Sequence, residues 1–148
     1  MNHTTLSKQE ATTQRIFRVV VAGGRRYADK AALYRWLDHF LRDRVAEGWT
    51  IVIIHGNCRR IDPETKAELP TADQLARQYA YDRGYDQVPF TAQWTKFGKR
   101  AGPLRNAEMA EYGHVLIAFW NKKSDGTKNM ITLARLKGLP IRQVYSKY

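Results

Sequence analysis

Short apolar runs alternate with amphipathic stretches along most of this chain. Phe17-Arg18-Val19-Val20-Val21-Ala22 is a β-branched run ending at Gly23-Gly24, the pattern of a buried strand. Leu33, Trp36, Leu37, Phe40, Leu41 and Val45 then recur at helical spacing, which predicts a helix over 30–46. Asp29 is placed to cap it and Gly48 to close it. A second buried strand follows at Thr50–His55. A polar stretch at 57–70 separates it from a helix that starts at Thr71 and ends near Gly84. The remaining pattern predicts a weaker strand over 86–90 and an irregular basic connection over 94–103. After these come a short helix over 104–112, a strongly apolar strand over 114–120, a helix over 127–137 and a last strand over 141–145.

Strands alternating with helices imply a parallel sheet with right-handed crossovers. The expected fold is α/β, a Rossmann-like three-layer sandwich on a mainly parallel five-stranded sheet, in the order 3-2-1-4-5. In such a sheet a ligand sits beyond the carboxyl ends of strands 1 and 4, where the order reverses. Residues 1–14 read as a flexible polar tail and 15–148 as a single domain, with 57–70 as an insertion in it.

The chain's 148 residues are enough to bury one core without staples. Cys58 is the only cysteine, so no disulfide can close within the chain, and a reducing, cytoplasmic setting is expected. Residues 1–14 lack the apolar run of a signal peptide, and no stretch approaches the roughly 18 apolar residues of a membrane span. The four histidines have no metal spacing, and no cofactor fingerprint is present: neither GxGxxG nor GxxxxGK[ST] occurs.

Charge changes the picture more than composition does. Lys and Arg total 25 against 14 Asp and Glu, a net +11, which favours anionic partners. Eleven of the 25 bases fall in or beside four loops that should share the carboxyl edge of the sheet: Arg25, Arg26, Arg59, Arg60, Lys96, Lys99, Arg100, Arg105, Lys122, Lys123 and Lys128. Gly23, Gly24, Arg25 and Arg26 suit close backbone and guanidinium approach to phosphate, with Tyr27 as a base-stacking ring. Gly56 and Asp73 flank the second loop, where Asp73 can bond a ribose hydroxyl or cap a helix. Arg105 and Asn106 open the short basic helix. Ser124, Gly126 and Thr127 offer donors at the start of the next one. Each loop, taken alone, also reads as ordinary turn and cap chemistry.

Taken together, GGRRYAD after the first strand, HG…AD before a helix, AGPLRNAEM and IAFW…DGTKNMI resemble the short YspA-type branch of the SLOG superfamily. That superfamily includes the Lonely Guy phosphoribohydrolases and the DNA-processing DprA proteins. The resemblance spans residues 17–145. It implies a Rossmann-like fold, a nucleotide or nucleotide-derived ligand and self-association. It assigns Gly23, Gly24, Arg25, Gly56, Asp73, Arg105, Asn106, Met109, Gly126 and Thr127 to the ligand motifs. Two features depart from the pattern. The second motif is split by the 57–70 insertion, with Thr71 where a glycine is usual. Met130 stands where the hydrolases carry a glutamate, and a thioether cannot relay a proton.

The leading expectation is therefore a protein that binds a phosphorylated nucleotide-derived signal, cyclic or of ADP-ribose type, as a sensor or by sequestering it. A phage counter-defence protein would use the second mode. An alternative is N-glycosidic cleavage of a nucleoside monophosphate, with Asp73, Glu108 and Asp125 as the candidate carboxylates. A further alternative is nucleic-acid binding.

Overall fold

The computed structural model describes residues 15–147, so the tail expected over 1–14 lies outside the described residues. In chain order the elements are β1 (Ile16–Gly23), α1 (Lys30–Ala46), β2 (Thr50–His55), β3 (Arg60–Ile61), β4 (Glu68–Leu69), α2 (Ala72–Arg83) and β5 (Asp86–Pro89). They continue with α3 (Trp94–Phe97), a 3-10 turn (Gly98–Arg100), α4 (Ala101–Tyr112), β6 (Val115–Trp120), α5 (Asp125–Leu136) and β7 (Ile141–Tyr145).

Five strands form a wholly parallel sheet in the order β5-β2-β1-β6-β7, the expected 3-2-1-4-5. Successive residues of β1 face opposite layers. Val19 and Val21 pack with Leu33, Leu37 and Leu41 of α1 and Leu75, Ala76 and Tyr79 of α2. Val20 and Ala22 pack with Met109 and Ala110 of α4 and Met130, Ile131 and Ala134 of α5. The two cores are the two inner surfaces of the sandwich. Both sides of β1, β2 and β6 are buried, which is why those strands read as unbroken apolar runs.

Local chemistry fixes the helix starts. The Asp29 carboxylate accepts from the Ala32 N–H at 3.0 Å, and Thr71 Oγ1 accepts from the Gln74 N–H at 2.9 Å. Arg83 and the Tyr79 hydroxyl both donate to Asp38, tying α2 to α1.

One expectation about the elements needs correction. The helix expected from residue 104 begins at Ala101, preceded by α3 and the 3-10 turn rather than by irregular chain. Pro103 misled the reading: as the third residue of α4 its missing N–H falls among those that have no intrahelical acceptor. The 57–70 insertion has structure of its own. Its middle is a small antiparallel hairpin, β3 paired with β4. The Glu68 carboxylate holds it, accepting from Arg59 at 2.9 Å and from Arg77 of α2 at 2.6 Å. Partial burial pushes the pKa of Glu68 up, but the two guanidiniums outweigh it and hold the carboxyl below its usual range.

Candidate functional site at the carboxyl edge of the sheet

The chain leaves β1 through Gly23 and turns back at once. The Gly24 carbonyl accepts the Tyr27 N–H and the Ala72 N–H, both at 3.2 Å, so one atom closes the turn and receives the first N–H of α2. A Cβ on Gly23 would lie 2.6 Å from the Ala72 Cβ and 3.0 Å from the Phe119 carbonyl oxygen. Gly23 is thus required by the close approach of β1, α2 and β6. Tyr27 corrects an expectation. Its ring is 2% exposed and packs against Phe119 with centroids 5.4 Å apart, so it is core rather than a base-stacking surface. Arg25 and Arg26, beside it, are exposed.

β2 ends in a buried histidine. His55 Nδ1 accepts the Asn57 N–H at 3.0 Å, which leaves Nε2 to donate to Gln87 Oε1 at 2.7 Å. Burial pushes the pKa of the ring down, so it is held neutral. This contact sets the loop that follows. Asn57 takes a left-handed conformation (φ 51°), and the Cys58 N–H then reaches Asp73 Oδ2 at 2.8 Å. The Thr71 hydroxyl donates to the Cys58 carbonyl at 3.0 Å. The threonine in place of the motif's glycine thus caps α2 and at the same time fastens the loop. Burial pushes the Asp73 pKa up, against the Cys58 N–H, the His55 ring and the Arg105 charge. Burial likewise raises the Cys58 thiol, helped by the Asp73 carboxylate and opposed by the Arg25 and Arg105 guanidiniums.

Arg105, half-buried on α4, crosses to this loop. Its Nη1 donates to the Gly56 carbonyl and its Nε donates to Asn106 Oδ1 at 2.9 Å. A Cβ on Gly56 would lie 2.6 Å from Arg105 Nη1 and 3.1 Å from Asp73 Oδ2. A side chain at Gly56 would therefore have to displace the Arg105 guanidinium from its place beside Asp73. Asn106 is buried and donates to Asn129 Oδ1 at 2.9 Å and to the Gly126 carbonyl at 3.3 Å. It is the bridge that fixes Arg105 relative to the start of α5.

That start is open. Asn121 Oδ1 accepts from the Lys123 and Ser124 N–H groups, both at 2.8 Å, and Ser124 Oγ lies 3.0 Å from Thr127 Oγ1. Thr127 is buried, while Asp125 and Gly126 are exposed; nothing lies within 4 Å of a Cβ built on Gly126. The structure brings Gly23, Gly24, Gly56, Asp73, Arg105, Asn106, Ser124, Gly126 and Thr127 to one sheet edge, in a chain of contacts from β1 to α5. The candidate carboxylates separate. Asp73 joins this cluster, Asp125 is an exposed acid in the first turn of α5, and Glu108 lies on the exposed side of α4. Met130 is buried in the core, away from any such role.

Of the eleven bases assigned to this edge, Arg59 is the one in an ion pair among the described residues. Arg25, Arg26, Lys96, Lys99, Arg100, Lys122, Lys123 and Lys128 are exposed without one, so the edge carries unanswered positive charge. Two residues here were not singled out from the sequence. His55 is one, because an unbroken apolar strand gives no sign that its last side chain orders the loop beyond. Trp94 is the other: it is 58% exposed, and its ring edge comes within 3.2 Å of the Cβ direction of Gly102, one turn before Arg105. Among the described residues no group of three His, Cys, Asp or Glu is placed to hold a metal, and no helix is long and apolar enough to cross a membrane.

A doubly wound parallel sheet with glycine turns and helix starts at the carboxyl edge of its switch point defines a Rossmann-like α/β protein. The sequence pattern of the YspA, cpYpsA-related SLOG family matches residues 17–97, more than half of the chain, and the chain belongs to that family. The match covers the Gly23 and Gly56 turns and Asp73; the assignments of Arg105, Asn106, Gly126 and Thr127 rest on the later motifs. The chain is 28% identical over 130 residues to the Gene 61 protein of Mycobacterium phage D29, covering 84% of this chain and 93% of that one. Among solved structures it is similar to a predicted subunit of a tRNA methyltransferase from Methanocaldococcus jannaschii. That likeness has a TM-score of 0.41 and 12% identity, over 86% of this chain and 67% of that one. It is also similar to Staphylococcus aureus homoserine dehydrogenase, with a TM-score of 0.34 and 12% identity, over 88% of this chain and 33% of that one. At these TM-scores neither likeness bears on what this chain does.

Proposed function

We propose that this protein binds a phosphorylated nucleotide-derived small molecule at the carboxyl edge of its sheet and holds it intact, as a sensor or by sequestering it. One observation carries the reading. Arg105 is held in place from both sides, by the Gly56 carbonyl and by Asn106, between a glycine turn and an exposed helix start, on an edge most of whose cations form no ion pair among the described residues. A fixed guanidinium, helix-start N–H groups and surrounding positive charge suit a phosphate. Asp73 lies next to Arg105 at the hydroxyl-bearing end of such a ligand, and Trp94 offers an exposed ring at the same edge. Family membership supports the nucleotide class, and the resemblance also leads us to propose a homo-oligomer.

Calorimetric titration with nucleotides, cyclic nucleotides and ADP-ribose derivatives tests this, with chromatography of the free species after incubation. The expected result is saturable binding with the ligand recovered unchanged. Release of base or ribose phosphate would replace the reading with N-glycosidic cleavage through Asp73. Binding only to long single strands, falling steeply with salt, would replace it with nucleic-acid binding.

A further inference from the structure

A cavity lies at the other end of the sheet. It has a volume of about 470 Å³, within the range of roughly 300–1,000 Å³ typical of small-molecule sites. It opens at the amino ends of the strands. Phe17 of β1, Trp49 before β2, His114 before β6 and Pro140 before β7 line it, with Phe40 and Arg44 from the last turns of α1 and Arg142 from β7. The topology explains it. α1 and α2 pack over β1 and β2, while β7 packs against α5 on the opposite face. The amino-end corner between α1, β6 and β7 is left as a hollow.

Its chemistry is lopsided. Trp49 Nε1 is buried and has no hydrogen-bond partner among the described residues, a donor that costs stability unless something accepts from it. His114 Nδ1 accepts the Arg18 N–H at 2.9 Å, so the neutral ring carries its proton on Nε2, a second donor. The Arg44 guanidinium lies 4.6 Å from both the Phe17 and Trp49 ring centroids, and neither Arg44 nor Arg142 forms an ion pair among the described residues. The single carboxylate on the rim, Asp43, is exposed and already paired with Arg42 at 3.3 Å. Aromatic walls, two donors and two unanswered cations call for a flat apolar body with an acceptor and a negative charge.

We infer that this cavity is a second binding site, separate from the carboxyl-edge site, for a small aromatic anion. The ring lies against Phe17, Phe40 and Trp49, and a carboxylate or phosphate meets Arg44 and Arg142 while taking the Trp49 Nε1–H. The guanidinium fork suits either group.

Two-dimensional nitrogen–proton NMR tests this on the full chain, because each tryptophan side chain gives its own indole N–H signal. Trp49→Phe assigns the signal of Trp49 while keeping an aromatic wall. Indole-3-acetate and phenyl phosphate are the probes, with neutral indole and acetate as controls. The expected result is that one or both anionic probes shift the Trp49 signal saturably and the controls do not. Which probe does so separates a carboxylate ligand from a phosphate one. Arg142→Ala, on an exposed side chain, should weaken that probe about tenfold, the loss of one charged contact. Arg105→Ala should leave probe affinity unchanged. If the Trp49 signal does not move with either probe, or Arg142→Ala binds as well as the wild type, the inference is overturned. Nuclear Overhauser contacts from the Trp49 indole to residues 1–14, or to a second copy of the chain, would overturn it too, by showing the hollow already filled.

Discussion

The two glycine-bearing regions of the carboxyl edge are built on opposite principles. Around β1 and β2 the glycines serve the protein itself. Gly23 lets Ala72 and the Phe119 carbonyl approach, and Gly56 makes room for Arg105 and Asp73. The Gly24 carbonyl takes two backbone N–H groups, including the first of α2. At the start of α5, Gly126 faces open space and the helix end is exposed. A glycine-rich turn after a strand therefore does not by itself mark a surface offered to phosphate. The first region positions Arg105; the second is left accessible. The ligand site, on this account, is the seam between them.

The largest expected effect is on binding. Arg105→Ala should cost about 1.5–3 kcal/mol of ligand affinity, the value of a charged hydrogen bond, read by calorimetry. If affinity is unchanged, Arg105 is only a structural strut to Gly56. Next comes Gly23→Ala. The added methyl meets backbone and a neighbouring Cβ that cannot swing away, so stability should fall by roughly 1–3 kcal/mol in denaturant unfolding. A neutral outcome would mean the junction is looser than described. Gly126→Ala should separate the regions most sharply. It meets nothing in the unliganded protein and sits in a helix, so stability should rise by up to about 1 kcal/mol. Ligand affinity should nonetheless fall if phosphate reaches that backbone.

The smallest effect concerns pH. Burial holds the folded-state pKa of His55 below its ordinary 6.5, and His114 shifts in the same direction. The unfolded chain then binds more protons than the folded one below about pH 6.5. The stability these rings contribute is complete above that pH and is lost as pH falls toward their lowered values. His55→Gln should flatten part of that slope in unfolding measured from pH 7.5 to 5, while leaving the share of His114. An unchanged slope would show that His55 is not held neutral.

Much of this was legible beforehand. Strand order follows from β-branched runs alternating with amphipathic helices, because the burial that makes β1, β2 and β6 apolar is the burial that fixes a parallel sheet. What escaped were contacts between segments distant in sequence. Tyr27 looked available because it stands in a polar turn, but Phe119, on the neighbouring strand β6, takes its ring. Pro103 looked like a helix breaker, but it stands where a helix can spare an N–H. The role of Thr71 depends on the Cys58 carbonyl thirteen residues away, at the start of the insertion. The amino-edge cavity left no pattern at all, since it arises from where the helices do not pack.

The central claim is that a nucleotide-derived ligand sits on the seam between the two glycine regions. Backbone hydrogen exchange of the protein, with and without each member of the nucleotide panel, tests it most directly. The account predicts that at least one member slows exchange at Gly24–Tyr27 and at Asp125–Thr127 together, and that Arg105→Ala abolishes this protection. If no member protects either turn, or if protection persists in full in Arg105→Ala, the account is contradicted.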